Sequence, residues 1–245
     1  MCALRNLRGA RFDLPGVDRQ TVDPTQVMQT LAGVPAGSTN AHLQRSRSAY
    51  GITVDMANRL ATLTNTAAGA GYPPNSGLSS QLQTAAVLLG AGLGTRIVTI
   101  DWGGFDTHGS QLASQDPQLK DLSRSLAAFK ADLVARGIEN QVLTLVFSEF
   151  GRRVGSNDSG GTDHGAGGMM LVSGSAVKGG LAGEFPTLPT TDVTSSDLTV
   201  KTDFRSVYQS LISEWLGGDP AAILPGGPYP GIQRFDGGTT LLKAA

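Results

Sequence analysis

One cysteine in 245 residues, Cys2, is all the thiol chemistry this chain holds. A single thiol closes no internal disulfide, and structural zinc of the Cys-rich type is excluded. An excess of charge is lacking too. Nineteen Lys+Arg against 20 Asp+Glu leave a net charge of −1, so no overall field draws the chain to nucleic acid or to an anionic membrane. No apolar run approaches the roughly 18 residues that a membrane span requires. The basic residues near the start, Arg5 and Arg8, are not followed by an apolar core of about 7–15 residues. No export signal is therefore visible, and the chain as written is expected to stay in the cytoplasm.

What is present in quantity is glycine, 33 residues, alongside 12 prolines. The glycines cluster in connections, which points to a loop-built site on a rigid scaffold. At this length one sizeable core and a single domain over 1–245 are expected, with 1–75 as a helical and loop lead-in and 218–245 as a Pro/Gly-rich tail.

Residues 1–22 show no sustained period. Asp23-Pro24 has the form of a cap and first-turn proline opening a short helix to about Leu31. A longer polar helix, interrupted by Gly51, is expected over about Asn40–Leu63, and a loop over Ala67–Ser76. From Ser79 a further helix carries Leu82, Ala85, Ala86 and Leu89 and stops in Gly90-Ala91-Gly92-Leu93-Gly94. Those three glycines precede a strand instead of following one, so they are a helix stop and not a dinucleotide motif.

A strand at about 96–101 is then expected, followed by a helix from Asp116-Pro117. In that helix Leu119, Leu122, Leu126, Phe129 and Leu133 recur at three- and four-residue steps up to Gly137. A second strand over about 141–147 would complete a right-handed parallel βαβ unit. A third strand is expected at 168–173. Phe204, Val207, Tyr208, Leu211, Ile212 and Trp215 mark one face of a last helix ended by Gly217-Gly218, and a tail from Asp219 is expected to wrap the surface.

Two of the apolar runs end in acids, Ile97-Val98-Thr99-Ile100-Asp101 and Val142 to Ser148-Glu149. Their loops continue as Gly103-Gly104-Phe105-Asp106-Thr107-His108 and Gly161-Thr162-Asp163-His164-Gly165, so two of the three histidines stand beside aspartates. Ligands of open α/β sheets bind at such strand ends. Imidazole with carboxylate suits zinc, manganese or iron, and oxygen donors alone suit magnesium or calcium. Asp106, His108, Glu149, Asp163 and His164 are accordingly the candidate metal ligands. A histidine bonded to a loop carbonyl is the bland reading of each Asp/His pair, and an ion pair with Arg152 or Arg153 is that of Glu149. Arg152 equally suits a substrate anion, and Gly160–Gly165 could form a backbone anion nest.

No phosphate-binding Gly-x-x-x-x-Gly-Lys-[Ser/Thr] pattern occurs. Ser148 lacks the flanking glycines of a nucleophile elbow, so the catalytic residues are unknown. His42, on the polar helix, reads as a surface residue.

Taken together, Gly103–His108, Ser148-Glu149-Phe150-Gly151-Arg152-Arg153, Gly161–Gly165 and Lys201-Thr202-Asp203-Phe204-Arg205 resemble the domain-of-unknown-function 1501 family over roughly residues 75–217. That family is similar to the alkaline phosphatase and sulfatase superfamily. The resemblance implies an α/β fold with a mainly parallel sheet, helices on both faces and a metal site holding zinc, manganese or calcium. It also implies a C-terminal portion, incomplete on the N-terminal side, where the first strand, an acidic ligand and the nucleophile region of such proteins would lie.

Asp106 and His108 look like the superfamily's Asp/His ligand pair, and His164 like its late histidine. Phe150 stands where the superfamily has a histidine. The implied function is a metal-dependent hydrolase-like domain for small phosphate or sulfate esters, inactive if the missing portion is needed. The alternative is a non-catalytic exported or cell-surface domain that keeps the fold. Members commonly carry twin-arginine export signals, which implies a periplasmic or extracellular place.

Overall fold

The computed structural model describes residue 33, residues 40–62, residues 71–188, residue 191 and residues 196–243. The short helix expected from Pro24 to Leu31 lies outside the described residues. The chain divides into two compact units, one of Met1–Thr66 with Val87–Ile97 and one of Ala67–Ala86 with Val98–Ala245.

In the first unit α1, Ala41–Thr62, occupies the span expected for the polar helix. Asn40 starts it: its side-chain oxygen accepts from the His42 N–H at 2.9 Å, and its carbonyl accepts from the Gln44 N–H at 3.1 Å. This side chain satisfies one of the donors that every helix start leaves over. His42 is exposed, as expected.

The second unit contains the rest of the regular structure. Helix α2, Gly77–Gly90, begins here, with Leu78, Leu82, Ala85 and Ala86 buried. Helix α3, Gln111–Ala135, buries Ser125, Ala128, Phe129, Asp132 and Leu133, a three- and four-residue repeat that marks one face. The two helices are joined by hydroxyls. Ser79 Oγ lies 2.8 Å from Ser125 Oγ, Ser125 Oγ donates to Asp121 Oδ1 at 3.0 Å, and Ser76 Oγ donates to Asp121 Oδ2 at 2.8 Å. Asp132, 1% exposed, accepts from Arg136 Nε at 2.7 Å and from the Tyr72 hydroxyl at 3.1 Å. Burial, with Asp132 beside it, pushes the Tyr72 hydroxyl well above the ordinary phenol range.

Helix α3 starts five residues before the expected Asp116-Pro117. The physical reason lies in a distant loop. Ser110 N–H donates to Ser159 O at 3.1 Å and Gln111 N–H to Gly160 O at 3.0 Å, so backbone carbonyls supply the cap. Pro117 falls in the second turn, where it forfeits the bond to the Ala113 carbonyl and its ring crowds that carbonyl. The helix ends where expected, with Gly137 at φ 69° and its N–H donating to Val134 O at 2.9 Å.

The expected parallel sheet is not formed among the described residues. Strand β1, Thr144–Val146, pairs antiparallel with β4, Leu171–Ser173, and β2, Gly151–Arg152, pairs antiparallel with β3, His164–Gly165. A parallel return needs a crossover that carries the chain back to its starting edge. Residues 147–170 instead double back through the β2–β3 pair, so β4 meets β1 running the opposite way. The run at 96–101 carries no strand, and Ile97 and Val98 remain exposed. Among the described residues the fold is mixed helix and strand with two short antiparallel sheets.

Helix α4, Phe204–Ser210, continues as a π-helical turn over Leu211–Trp215 and ends at Gly217, φ 63°. The tail after it is structural. Ile232, Leu241 and Leu242 join Leu211 in a buried cluster packed by Leu143, Leu145, Val172, Val207 and Trp215. Tail backbone bonds fix this packing: Val177 bridges to Leu242, Ala182 bridges to Arg234, and Lys243 N–H donates to Ala176 O at 2.8 Å. No described helix is long and apolar enough to cross a membrane.

Candidate metal centre

Three chain segments within the second unit meet at the site: the loop before α3, the β2 strand, and the loop that ends in β3. The β2–β3 register sets Arg152 opposite His164, which carries the late Asp163-His164 pair toward the first loop. The approach is close enough to require glycine at one point. A Cβ on Gly161 would stand 2.4 Å from the carbonyl carbon and oxygen of His108.

Asp106 Oδ1 is the centre of the cluster. His164 Nε2 lies 2.6 Å from it and His108 Nε2 lies 3.0 Å from it. The two imidazoles face each other with centroids 4.7 Å apart, and His108 Nδ1 reaches Asp163 Oδ1 at 3.4 Å. One ligand atom from each of Asp106, His108 and His164 lies within 4.8 Å of the others. All three side chains are open to solvent, at 67%, 49% and 43% exposure, so an ion can reach them.

The carboxylates are held in their ionised form. The hydrogen bond from His164, more than any other interaction, keeps Asp106 below the usual carboxylate range. Asp163 is also lowered, chiefly by the hydrogen bond from Asn157 and then by that from His108. Two carboxylates beside two imidazoles are a donor set of the kind that could hold a divalent cation.

Of the residues expected from sequence, Asp106, His108 and His164 are brought together. Asp163 stands at the edge and touches the group through His108. Glu149 falls outside it: exposed after β1, it accepts from Ser148 Oγ at a long 3.4 Å. Arg152 is half-buried and turned inward. Its Nη1 donates to Thr162 O, and its Nη2 donates to Phe105 O and, at 3.2 Å, to Thr107 Oγ1.

Two participants were not among the expected site residues. Phe150 stacks on His164 with centroids 3.8 Å apart and planes 10° from parallel, which fixes the plane of that imidazole. Asn157 organises the late loop: its Nδ2 donates to His108 O at 2.9 Å and to Asp163 Oδ1 at 3.1 Å, while its Oδ1 accepts from Ser159 N–H and Gly161 N–H, both at 3.0 Å. The run Asn157-Asp158-Ser159-Gly160-Gly161 is a turn signature in which an Asn side chain bonds the backbone just ahead of it. That signal could have pointed to Asn157.

Fold and site together define a mixed α/β domain that carries an exposed Asp/His/His cluster of metal-ligand type. The family model described as "Protein of unknown function (DUF1501)" matches residues 23–210, and the chain belongs to that family. Neither the curated proteins nor the solved structures contain a match to it.

Proposed function

We propose that this chain is a divalent-metal-binding domain of hydrolase type, related to the phosphatase and sulfatase superfamily and directed at small anionic esters. The observation that carries this reading is the convergence of Asp106, His108 and His164 from two separate loops on one point. Two imidazoles and one carboxylate suit zinc, manganese or iron, and the imidazoles disfavour calcium. A metal held by these residues supplies Lewis-acid polarisation of an ester oxygen and stabilises the charge that develops there. Asp163, ionised and 3.4 Å from His108 Nδ1, orients that imidazole in the manner of a carboxylate behind a metal-bound histidine.

The resemblance to the phosphatase and sulfatase superfamily supports the ester chemistry.

A second reading, a non-catalytic exported or cell-surface domain that keeps the ion, is favoured by the state of the hydroxyls beside the cluster. Thr107 Oγ1 donates to Phe105 O at 3.4 Å, and Thr162 Oγ1 donates to Gln111 Oε1 at 2.9 Å. Neither is presented as an activated nucleophile.

Metal analysis of the purified protein after gentle dialysis tests the metal centre. We expect about one divalent ion per chain, from a single converging ligand set, and its loss in the double variant His108→Ala, His164→Ala. Absence of bound metal from the wild type, or equal content in the variant, would falsify this reading.

A further inference from the structure

We propose that Arg152 is the positioning residue of the metal centre: one guanidinium ties together the two loops that carry the ligands, and it is not the group that receives a substrate anion. This rests on the reading of Asp106, His108 and His164 as metal ligands.

The argument starts from where the donors of Arg152 go. Nη2 donates to Phe105 O and Thr107 Oγ1, the residues on either side of Asp106. Nη1 donates to Thr162 O, two residues before His164. The same residue is also the cross-strand partner of His164 in the β2–β3 pair. Arg152 thus holds the first ligand loop from both flanks of its aspartate, and holds the second both by its backbone and by its side chain.

A further contact acts on the ring of His164 itself. The Arg152 guanidinium carbon lies 5.0 Å from the centroid of Phe150, and Phe150 stacks on His164 at 3.8 Å. A cation over an aromatic ring is attracted by its quadrupole, so Arg152 steadies the surface against which the imidazole is set. The ligands need this support. Asp106, His108 and His164 are exposed and stand on loops and a two-residue strand, with no long helix or strand to fix their spacing.

Only a planar fork meets the requirement. Two terminal nitrogens in fixed relation can reach carbonyls on two different loops at once. A lysine ammonium carries the same charge on a single atom and lacks that fixed pair of donor nitrogens. Charge retention and geometry can therefore be separated by one substitution, Arg152→Lys.

The experiment is a titration of metal-free protein with Co²⁺, read by the visible absorption of the bound ion, in wild type, Arg152→Lys and Thr107→Ala. The melting temperature of each metal-free protein is measured alongside. We expect Arg152→Lys to bind Co²⁺ about tenfold to a hundredfold more weakly, the usual consequence of losing a group behind the ligands, and with an altered absorption band. Thr107→Ala, which deletes one acceptor, should shift affinity and band in the same direction by less. A spectral change reports ligand geometry, which a general loss of stability would not alter.

Inorganic phosphate added to the cobalt-loaded proteins separates the anion role. If Arg152→Lys keeps wild-type cobalt affinity and spectrum but loses a phosphate-induced change, Arg152 is an anion receptor and the inference is overturned. It is equally overturned if Arg152→Lys matches wild type throughout. Should that variant fail to fold, an unchanged affinity and band in Thr107→Ala overturns it. A wild type that takes up no Co²⁺ overturns the metal reading and this inference with it.

Discussion

Arg234 and Asp236 show what a single pair does in the tail. Arg234 Nε donates to Asp236 Oδ1 at 3.0 Å and its Nη2 to Oδ2 at 2.7 Å, while Gly238 N–H donates to Oδ1 at 3.0 Å. The bonds from Arg234, more than that from Gly238, draw the Asp236 carboxyl down to about 2. An unfolded aspartate titrates at about 3.9. The folded value is the lower one, so the pair's contribution to stability is complete above the unfolded value and is lost as pH falls through about 2. Asp236→Asn should therefore lower stability at neutral pH, flatten the acid limb in that window and leave stability below it nearly unchanged. Urea midpoints measured as a function of pH check this, and a limb of unchanged slope would count against it.

At the same scale, three of the five candidate ligands read from the sequence, Asp106, His108 and His164, are the ones the structure brings together. Imidazole beside carboxylate is rare in a chain with three histidines, and two of its three fall in Gly-rich loops. Glu149 was not excluded because the end of a strand does not say which way the next side chain turns. Arg152 had two chemically equal readings until its acceptors were seen. The residue code gives a guanidinium but not the carbonyls it meets.

Among the elements, the helices were legible and the sheet was not. A helix is written in local periodicity, and α3 keeps its burial phase: Phe129 and Leu133 are buried at 5% and 4% exposure, and Lys130 points to solvent. Even there Leu119, expected on the apolar face, is half exposed, because the face toward α2 is built around Ser125 and Ala128 further along. Strand direction is set by pairing between distant segments, which no local pattern specifies. The apolar runs at 96–101, 141–147 and 168–173 fit parallel and antiparallel sheets alike. The loop between the last two, doubling back at Arg152 and His164, decided the matter.

The phase of α3 gives a test of its own. Phe129→Ala removes a buried ring from the helix face and should cost about 3–5 kcal/mol. Lys130→Ala, whose ammonium lies 4.0 Å from Glu139 Oε1, should stay within about 0.5 kcal/mol of wild type. Denaturant midpoints of the two variants compare them directly, and equal midpoints would mean that the helix presents another face.

For the molecule as a whole, the site and the second unit's core are built from distant stretches of chain. The tail residues Ile232, Leu241 and Leu242 close the cluster beneath β1 and β4, and the loop at 159–160 caps the helix that follows the first ligand loop. The result is a cluster suited to holding an ion. Ester hydrolysis asks for more: an activated nucleophile must lie at hydrogen-bonding distance from a base. Ser148 Oγ stands 3.4 Å from Glu149 Oε2, beyond the usual reach of an O–H to oxygen bond. Thr162 is directed at Gln111 Oε1 at 2.9 Å, and Thr107 Oγ1, likewise 3.4 Å from Phe105 O, accepts from Arg152 Nη2 at 3.2 Å. The chain should therefore bind metal yet show little or no turnover of aryl phosphate or aryl sulfate, with zinc, manganese or calcium added. Release of the aryl alcohol over hours measures it. Robust turnover abolished by Glu149→Gln or by His164→Ala would show that a complete hydrolytic site is present, with Glu149 or a bound hydroxide supplying what Ser148, Thr107 and Thr162 do not.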